Sequence, residues 1–282
     1  MKWQNRERST NVEDRRGRTV KRVGGGIGIL GIIFAIIAFL MGENPLSVLQ
    51  QFQGNQTVEV QQKTNKNEDA LKEFVGVVLK DTEDVWSKLF KEQLGKRYIK
   101  PKLVLYSGQD QSGCGIAQSA TGPFYCPADQ KVYIDLSFYN ELQNRFHAPG
   151  DFAMAYIVAH EVGHHVQNLL GITQQVEQRR RRLGEADANR LSVRLELQAD
   201  FLAGVWAHHD QKLNNILERG DIEEALNAAS SVGDDRIQMQ SRGYVVPDAF
   251  THGTSAQRMK WFKKGLETGD LNAGDTFGAT DL

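Results

Sequence analysis

The sequence contains few cysteines, few prolines and no excess of charge of either sign. Its 282 residues include two cysteines and six prolines, and 34 Lys and Arg residues balance 35 Asp and Glu residues. Two cysteines are too few for a cysteine-rich zinc framework or for a small domain built on disulfides. The chain also lacks the basic excess of a nucleic-acid groove, so we expect no nucleic-acid partner. Stability must come mainly from packing.

Apolar residues make up 40% of the chain and charged residues 24%, a composition that excludes wholesale disorder. The charge is unevenly distributed along the chain. Residues 1–22 carry eight basic and three acidic side chains, a net charge of +5, which leaves -6 for the remainder. We therefore expect a basic N-terminal tail followed by a mildly acidic body.

An uncharged run of nineteen residues, 23–41, follows the basic segment. As a helix it would span roughly 28 Å, close to the hydrocarbon thickness of a bilayer, which predicts one transmembrane helix. A buried core helix and a cleaved signal peptide are the alternatives. Phe39, Leu40 and Met41 at the end of the run and Glu43 just after it stand where a cleavage site would have small residues, which favours an uncleaved anchor. The positive flank should stay in the cytoplasm, with residues from about 42 onward outside.

Residues 42–69 are rich in Gln and Asn and show no sustained periodicity, so we expect a flexible linker. The folded domain is predicted for residues 70–282. Short strands are expected at 102–107 and 131–135, with helices near 152–170, 173–182, 189–208, 222–229 and 254–266. This order predicts an α+β fold, mostly helical with a small sheet.

Cys114 and Cys126 enclose a glycine-rich loop and can bridge if that loop doubles back. Two free buried thiols are the alternative. In an exported domain we expect the disulfide.

The helical segment AYIVAHEVGHHVQNLLG contains the His-Glu-x-x-His motif. His160 and His164 lie four residues apart, on one helical face, where both imidazoles can bind one Zn²⁺. Glu161 is then the predicted general base, taking a proton from the attacking water. The surrounding segment is apolar, so these polar groups would be costly to bury without a partner. His165 points about 100° away and is expected to be solvated or to support a ligand.

A zinc hydrolase needs a third protein ligand, and two glutamates compete for that role. Glu185 lies in GEADAN, a predicted turn between helices, whereas Glu196 lies in the apolar helical segment RLELQADFLAGVW. We predict Glu196 as the ligand and keep Glu185 as the alternative. Asp200, one turn after Glu196, is predicted to orient a ligating histidine by accepting its second ring N–H.

The chain resembles the bacterial neutral zinc metallopeptidase family of YpfJ-like proteins along nearly its whole length. The resemblance rests on NVEDRRG, CGIAQSATGPFYCP, KVYIDLSF, HEVGHHVQNLLG, ELQADFLAGVW and THGTSAQRMKWFKKG. It implies a zinc peptidase fold, and the segment ELQAD resembles the Glu-x-x-x-Asp helix of gluzincin peptidases, which supports Glu196. Such proteins often have a second cysteine pair where this chain has Phe201 and Gly274, so a second bridge is absent.

Other site assignments rest on resemblance or on position. His252 precedes a predicted helix, as does a histidine that helps to stabilise the oxyanion in some gluzincins; Tyr244 is a poorer candidate. The strand at 131–135 precedes the zinc helix. As an edge strand it could hold an extended peptide substrate, with Val132, Tyr133 and Ile134 as contacts.

These observations together predict a zinc metalloendopeptidase with one Zn²⁺, anchored by one helix in the bacterial inner membrane with its catalytic domain periplasmic. Its partners would be a peptide or protein substrate and the membrane. The alternative is a zinc-stabilised envelope scaffold that cuts nothing. An intact Glu161 favours the enzyme, because a structural zinc site needs no base and is usually closed by a fourth protein ligand.

Overall fold

The structure is a computed structural model that describes residues 1–17 and 66–282. The predicted membrane helix at 23–41 and most of the predicted linker lie outside the described residues. Within the described ranges, no helix is both long enough and apolar enough to cross a membrane.

The predicted class is confirmed at the level of a mostly helical α+β fold with a small sheet. The strands are β1 (Val12–Asp14), β2 (Lys102–Tyr106), β3 (Gln109–Ser112), β4 (Gly115–Gln118), β5 (Phe124–Cys126) and β6 (Lys131–Asp135). The helices are α1 (Lys66–Gln93), α2 (Phe138–Asn144), α3 (Asp151–Leu169), α4 (Ile172–Arg180), α5 (Glu185–Asn214), α6 (Asp221–Ser231), α7 (Asp234–Arg242) and α8 (Ser255–Thr268). Short 3-10 turns lie at Ser119–Thr121, Pro247–Ala249 and Leu271–Gly274.

Four strands form one mixed sheet in the order β1-β2-β6-β5, in which β1, β2 and β6 run parallel and β5 runs antiparallel to β6. Strands β2 and β6 are almost continuously apolar, as expected for strands covered on both faces. Strand β6 therefore lies inside the sheet and β5 at its edge. The expectation that residues 131–135 form an edge strand is wrong.

The disulfide between Cys114 and Cys126 is present. Cys114 lies in the turn of the β3–β4 hairpin and Cys126 at the end of β5, so the bridge ties the hairpin to the edge strand. The predicted pairing is thereby confirmed.

Helix α3 lies at the centre of the core, and sixteen of its residues are buried. It packs against α1, α5 and α6, while α8 packs most extensively against α5. Gly265 makes the α5–α8 contact possible, since a Cβ atom there would lie 2.0 Å from the carbonyl oxygen of Phe201. The two backbones approach too closely for any side chain.

Several helices differ in extent from the sequence prediction. GEADAN is the first turn of α5 rather than a turn between helices, because Glu185 and Asp187 favour a helix N-terminus. Helices α2 and α7 were not predicted. Both are short, with seven and nine residues, and so few turns give apolar spacing little to establish a helical period.

Residues 1–16 belong to the same compact unit as the domain, which differs from the expectation of a separate basic tail. Strand β1 adds to the outer edge of β2, with Val12 opposite Leu103 and Asp14 opposite Leu105. On the other side of the gap, helix α1 begins at Lys66, ahead of the predicted start of the folded domain at residue 70.

Candidate metal centre

The structure brings His160, His164 and Glu196 together although they come from two helices. Both histidines project from α3, and Glu196 projects from α5 beside it. The Oε2 atom of Glu196 lies 3.2 Å from Nε2 of His160 and 3.4 Å from Nε2 of His164. Gly163 faces this contact, where a Cβ would be 3.0 Å from the carbonyl oxygen of Ala199. A small residue at this position therefore lets the two helices approach.

The spacing of these three atoms fits a tetrahedral zinc site. With bonds of about 2.0–2.1 Å, two ligands of a tetrahedral Zn²⁺ lie about 3.3 Å apart. The two distances to Glu196 bracket that value. Glu185 is exposed at the start of α5 and is not part of this group, so the geometry favours Glu196.

Hydrogen bonds fix which ring nitrogen of each histidine faces the centre. Nδ1 of His160 lies 2.8 Å from Oδ1 of Asp200, and Nδ1 of His164 lies 2.9 Å from Oε1 of Gln167. The amide nitrogen of Gln167 donates to the carbonyl of Leu195, so its oxygen must face the histidine. When the rings are neutral, as a bound metal requires, both Nδ1 atoms are donors and the two Nε2 lone pairs point at the Glu196 carboxylate. Three acceptor atoms converging in this way fit a bound cation.

The site also carries negative potential. Burial alone would lower the pKa of His160, but the Asp200 charge and hydrogen bonds to Asp200 and Glu196 raise it to about 10. Burial would raise the pKa of Asp200, yet Arg258 and His160 hold it at about 2. Burial likewise opposes ionisation of Glu196, and the adjacent His164 and His160 keep its pKa well below the usual range. A cation at the centre would contact the ionised Glu196 carboxylate, and the ionised Asp200 carboxylate would lie on the far side of the His160 ring.

Asp200 is itself held by a buried network that sequence reasoning missed. Arg258 of α8 is 3% exposed and donates from Nε to Oδ2 of Asp200 at 2.8 Å and from Nη2 to Oδ1 at 2.9 Å. The Tyr156 hydroxyl also donates to Asp200. Arg258 lies one turn before Trp261 and Phe262 on the buried face of α8. A charged residue in that apolar stripe is the signal that could have revealed it.

Glu161 is 8% exposed and lines a cavity of about 480 Å³ beside the two histidines. Burial raises the pKa of its carboxyl group, and the neighbouring His160 and His164 oppose the rise. Glu161 does not belong to the three-residue ligand group. It therefore has a carboxylate beside the candidate metal position and within the cavity.

His252 also lines this cavity, at the loop before α8, and its side chain is half exposed. Its Nδ1 lies 3.2 Å from Oδ1 of Asp234, while Oδ2 of Asp234 accepts the backbone N–H groups of Thr251, His252 and Gly253. Burial would lower the pKa of His252, but Asp234 and the Glu196 charge raise it. Asp234 was not identified from the sequence. Tyr244 is 59% exposed and does not line the cavity.

His165 is fully buried, so of its two expected roles the solvated one is wrong. Its Nε2 donates to the carbonyl of Ile99 at 2.6 Å, and its Nδ1 accepts the Tyr125 hydroxyl at 3.0 Å. Burial lowers the pKa of His165 to about 4, against a smaller opposing effect of the Ile99 carbonyl, so the ring is neutral. It links the zinc-motif helix to edge strand β5.

The predicted substrate contacts do not lie at the cavity. Val132, Tyr133 and Ile134 are at most 1% exposed and lie in the interior strand β6. The prediction confused two neighbouring strands, because nothing in a short apolar run distinguishes an interior strand from an edge strand. Phe124 and Tyr125 of β5 line the cavity instead.

Two histidines of a buried helix and one glutamate of its neighbour could hold a metal ion, and the same donor types occur together in mononuclear zinc hydrolases. A family model described as "Putative neutral zinc metallopeptidase" matches residues 1–277, and the chain belongs to that family. It is 50% identical over 287 residues to "Uncharacterized protein YpfJ" of Escherichia coli, covering 99% of each chain. It is 48% identical over 195 residues to "Uncharacterized protein Rv2575" of Mycobacterium tuberculosis, covering 66% of this chain and 65% of that one. No solved structure matches it.

Proposed function

We propose that the protein is a zinc-dependent endopeptidase in which His160, His164 and Glu196 hold one Zn²⁺. This proposal rests on the convergence of the Nε2 atoms of His160 and His164 with one carboxylate oxygen of Glu196. Hydrogen bonds from Nδ1 of the two rings to Asp200 and Gln167 hold the imidazoles in this orientation. Zn²⁺ in this position supplies Lewis-acid polarisation of a peptide carbonyl and of the attacking water.

Glu161 is the general base in this proposal. Its buried carboxylate accepts the proton of the attacking water at one Oε atom and returns it to the nitrogen of the leaving amine. A pKa raised by burial suits both halves of this cycle, because it strengthens the base and leaves an acid that can donate. The reaction consumes one water and splits one amide bond into a carboxylate and an amine.

His252 is proposed to donate a hydrogen bond to the oxygen that becomes negative during attack. Its imidazole lines the cavity, and Asp234 orients the ring through Nδ1, which leaves Nε2 as the donor. The raised pKa of His252 favours the protonated ring that such a role needs. His252 therefore assists the reaction without being a metal ligand.

The substrate is proposed to lie along the free edge of β5. Among residues 1–17 and 66–282, β5 pairs with β6 on one side and with no strand on the other, and Phe124 and Tyr125 line the cavity beside Glu161. An extended peptide can add to such an edge by main-chain hydrogen bonds. The apolar lining that includes Phe138, Phe146 and Ile157 suits a large apolar side chain next to the scissile bond.

The alternative, a zinc-stabilised scaffold, is disfavoured by the number of ligands. Within the described residues, the ligand group at this centre contains three residues, whereas a structural zinc site is usually closed by four. An acidic side chain in a cavity beside the centre also has no role in a scaffold. Attachment to the bacterial inner membrane through residues 23–41 is part of the proposal and rests on their composition.

The test compares the full-length protein with Glu161→Gln and Glu196→Gln. We expect Glu161→Gln to retain one equivalent of zinc and lose at least 100-fold in peptide hydrolysis, the scale of general acid–base catalysis. Glu196→Gln should lose zinc, while Glu185→Gln should change neither property. Zinc binding without cleavage of any member of a peptide library would support the scaffold. Loss of zinc in Glu185→Gln alone would overturn the ligand assignment.

A further inference from the structure

The N-terminal segment, residues 1–16, forms main-chain hydrogen bonds with three separate parts of the domain. Lys2 N–H donates to the carbonyl of Ile216 at 2.8 Å, and Ser9 N–H donates to Gly76 in α1 at 2.9 Å. Strand β1 then pairs with β2 through three residue positions. Main-chain hydrogen bonds at three places within sixteen residues are typical of a segment that belongs to the fold. A tail that extends away from the domain would not form them.

The α-amino group of Met1 lies in an acidic pocket. Its nitrogen is 2.6 Å from Oδ1 of Asp151, 3.3 Å from Oδ1 of Asp221 and 3.4 Å from Oε2 of Glu218, and Met1 is 4% exposed. Asp151 is the first residue of zinc-motif helix α3, and Asp221 is the first residue of α6. The segment therefore supplies a cation to the starts of two core helices.

Two buried carboxylates of α1 depend on the same segment. Arg6 binds Asp81 through both guanidinium nitrogens, at 2.8 and 2.6 Å, and Asp81 is 2% exposed. Asp81 also faces the buried Asp210, so removal of Arg6 would leave two acids together. Ser9 donates its hydroxyl to Glu83, which is 2% exposed as well. Buried charges without partners are strongly destabilising. Asp81 would lose its cation without Arg6, whereas Glu83 would keep Lys100 at 3.1 Å, so Asp81 is the carboxylate that requires this segment.

The chain leaves and re-enters the domain at adjacent points. Arg16, the last residue of the segment, lies 3.4 Å from Glu68 and 3.1 Å from Asp69 at the start of α1. Asp14 accepts a hydrogen bond from Lys72 at 2.9 Å. Arg16 and Glu68, which lie close to the two ends of the undescribed stretch, are therefore neighbours on the folded unit.

The basic side chains of this segment also have local partners. Arg15 binds Glu13 and Asp110, and Arg16 binds Asp14. Their charges are neutralised within the folded unit and are not free to interact with a membrane surface. The predicted orientation counts Arg15 and Arg16 among the free positive charges of the flank, and their ion pairs within the folded unit remove these two from that count.

From these contacts we propose that residues 1–16 are a permanent strand of the peptidase domain, so that both flanks of the apolar run 23–41 lie in the same compartment. A single crossing by that run would put residues 1–22 and 70–282 on opposite sides of the membrane, and β1 could not then pair with β2. The family model, which matches from residue 1, includes the segment in the shared sequence. This proposal does not depend on peptidase activity.

The test is a disulfide introduced into the full-length protein in intact cells. A Cβ at position 76 would lie 3.7 Å from the Cβ of Arg8, close to the usual Cβ separation of about 3.8 Å in disulfides. The two native cysteines are bonded to each other, so Arg8→Cys with Gly76→Cys adds one reactive pair. With a membrane-permeant oxidant we expect most of the double variant to show a reducible mobility shift within one chain, and Arg8→Cys with Lys263→Cys to show none.

A second measurement does not require any change at Gly76. Arg8 and Lys263 both have exposed side chains, so the single variants Arg8→Cys and Lys263→Cys report the sides on which the segment and the domain lie. We expect an impermeant thiol reagent to label both variants or neither in intact cells, and both after lysis. Labelling of only one of them before lysis would overturn the proposal, as would failure of the 8–76 pair to cross-link under the oxidant.

Discussion

Arg258 illustrates how a single residue connects the fold to the candidate metal centre. Its guanidinium is buried against Asp200, which in turn orients His160 through Nδ1. Arg258 thus determines, through Asp200, which ring nitrogen of His160 faces the centre. A hydrogen bond that orients a ligating histidine through its other ring nitrogen commonly contributes ten- to hundredfold to metal affinity.

At this scale we predict that Arg258→Met lowers stability by about 3–5 kcal/mol, because it leaves the buried Asp200 carboxylate without its cation. Zinc affinity should fall as well, since the hydrogen bond to His160 loses its fixed geometry. Urea unfolding and zinc titration measure the two effects. The double variant Arg258→Met with Asp200→Asn serves as the control and should recover part of the stability but not the affinity. Unchanged affinity in the single variant would rule out a positioning role.

Some of these residues could be predicted from the sequence and others could not. The four-residue spacing of His160 and His164 is a local property of a helix, and the apolar context of Glu196 was enough to prefer it over Glu185. Gln167 lies one turn after His164 on the same helix, but its amide is oriented by the Leu195 carbonyl of α5, and Asp234 reaches His252 from another element. Spacing along the sequence carries no information about such contacts.

At the scale of elements, close helix contacts position the ligands. Helix α5 brings Glu196 and Asp200 to α3, and α8 brings Arg258 to α5. The family resemblance suggested that the chain lacks a second cysteine pair at Phe201 and Gly274. These two residues are neighbours, since a Cβ at Gly274 would lie 2.4 Å from the Phe201 ring. An aromatic contact occupies the place of that covalent link between α5 and the C-terminal segment.

Two mid-helix glycines should respond to alanine with opposite signs. In Gly265→Ala the new Cβ would meet the Phe201 carbonyl at 2.0 Å, so α8 must move away from α5, and we expect a loss of about 1–3 kcal/mol or more. In Gly76→Ala the nearest atom is 3.7 Å away, and helix propensity should give a gain of up to about 1 kcal/mol. Thermal and urea unfolding of both variants test this. A stabilised Gly265→Ala protein would contradict the close approach of α5 and α8.

At the scale of the whole molecule, the N-terminal segment changes how the charge distribution is understood. The sequence suggested a basic tail and an acidic body as separate regions, with net charges of opposite sign. That difference reflects attraction within one folded unit, because Arg6 meets Asp81 and Arg16 meets Glu68 across more than fifty residues of chain. Net charge along a sequence does not distinguish a tail that extends away from a strand that folds back.

The buried α-amino group predicts a specific pH dependence of stability. Burial would lower the pKa of the Met1 ammonium, but hydrogen bonds and charge from Asp151 and Asp221 raise it above 8.0. A raised pKa means that the stabilisation is complete below the unfolded-state value and disappears as the pH rises through the folded-state value. The full-length protein should therefore lose stability progressively above about pH 8. Other groups titrate in the same range, so a matched protein is needed to isolate the effect.

That matched protein carries an acetylated N-terminus, which removes the charge at every pH. We expect it to be less stable than the unmodified chain at pH 7, because Asp151 and Asp221 lose their cation, and the difference should shrink toward pH 10 as the unmodified amine deprotonates. The measurement is urea unfolding of both proteins between pH 6 and pH 10. A difference that is constant across this range would show that the ammonium does not titrate in the folded state as proposed. No difference at pH 7 would show that the pocket is not occupied by the N-terminus in solution.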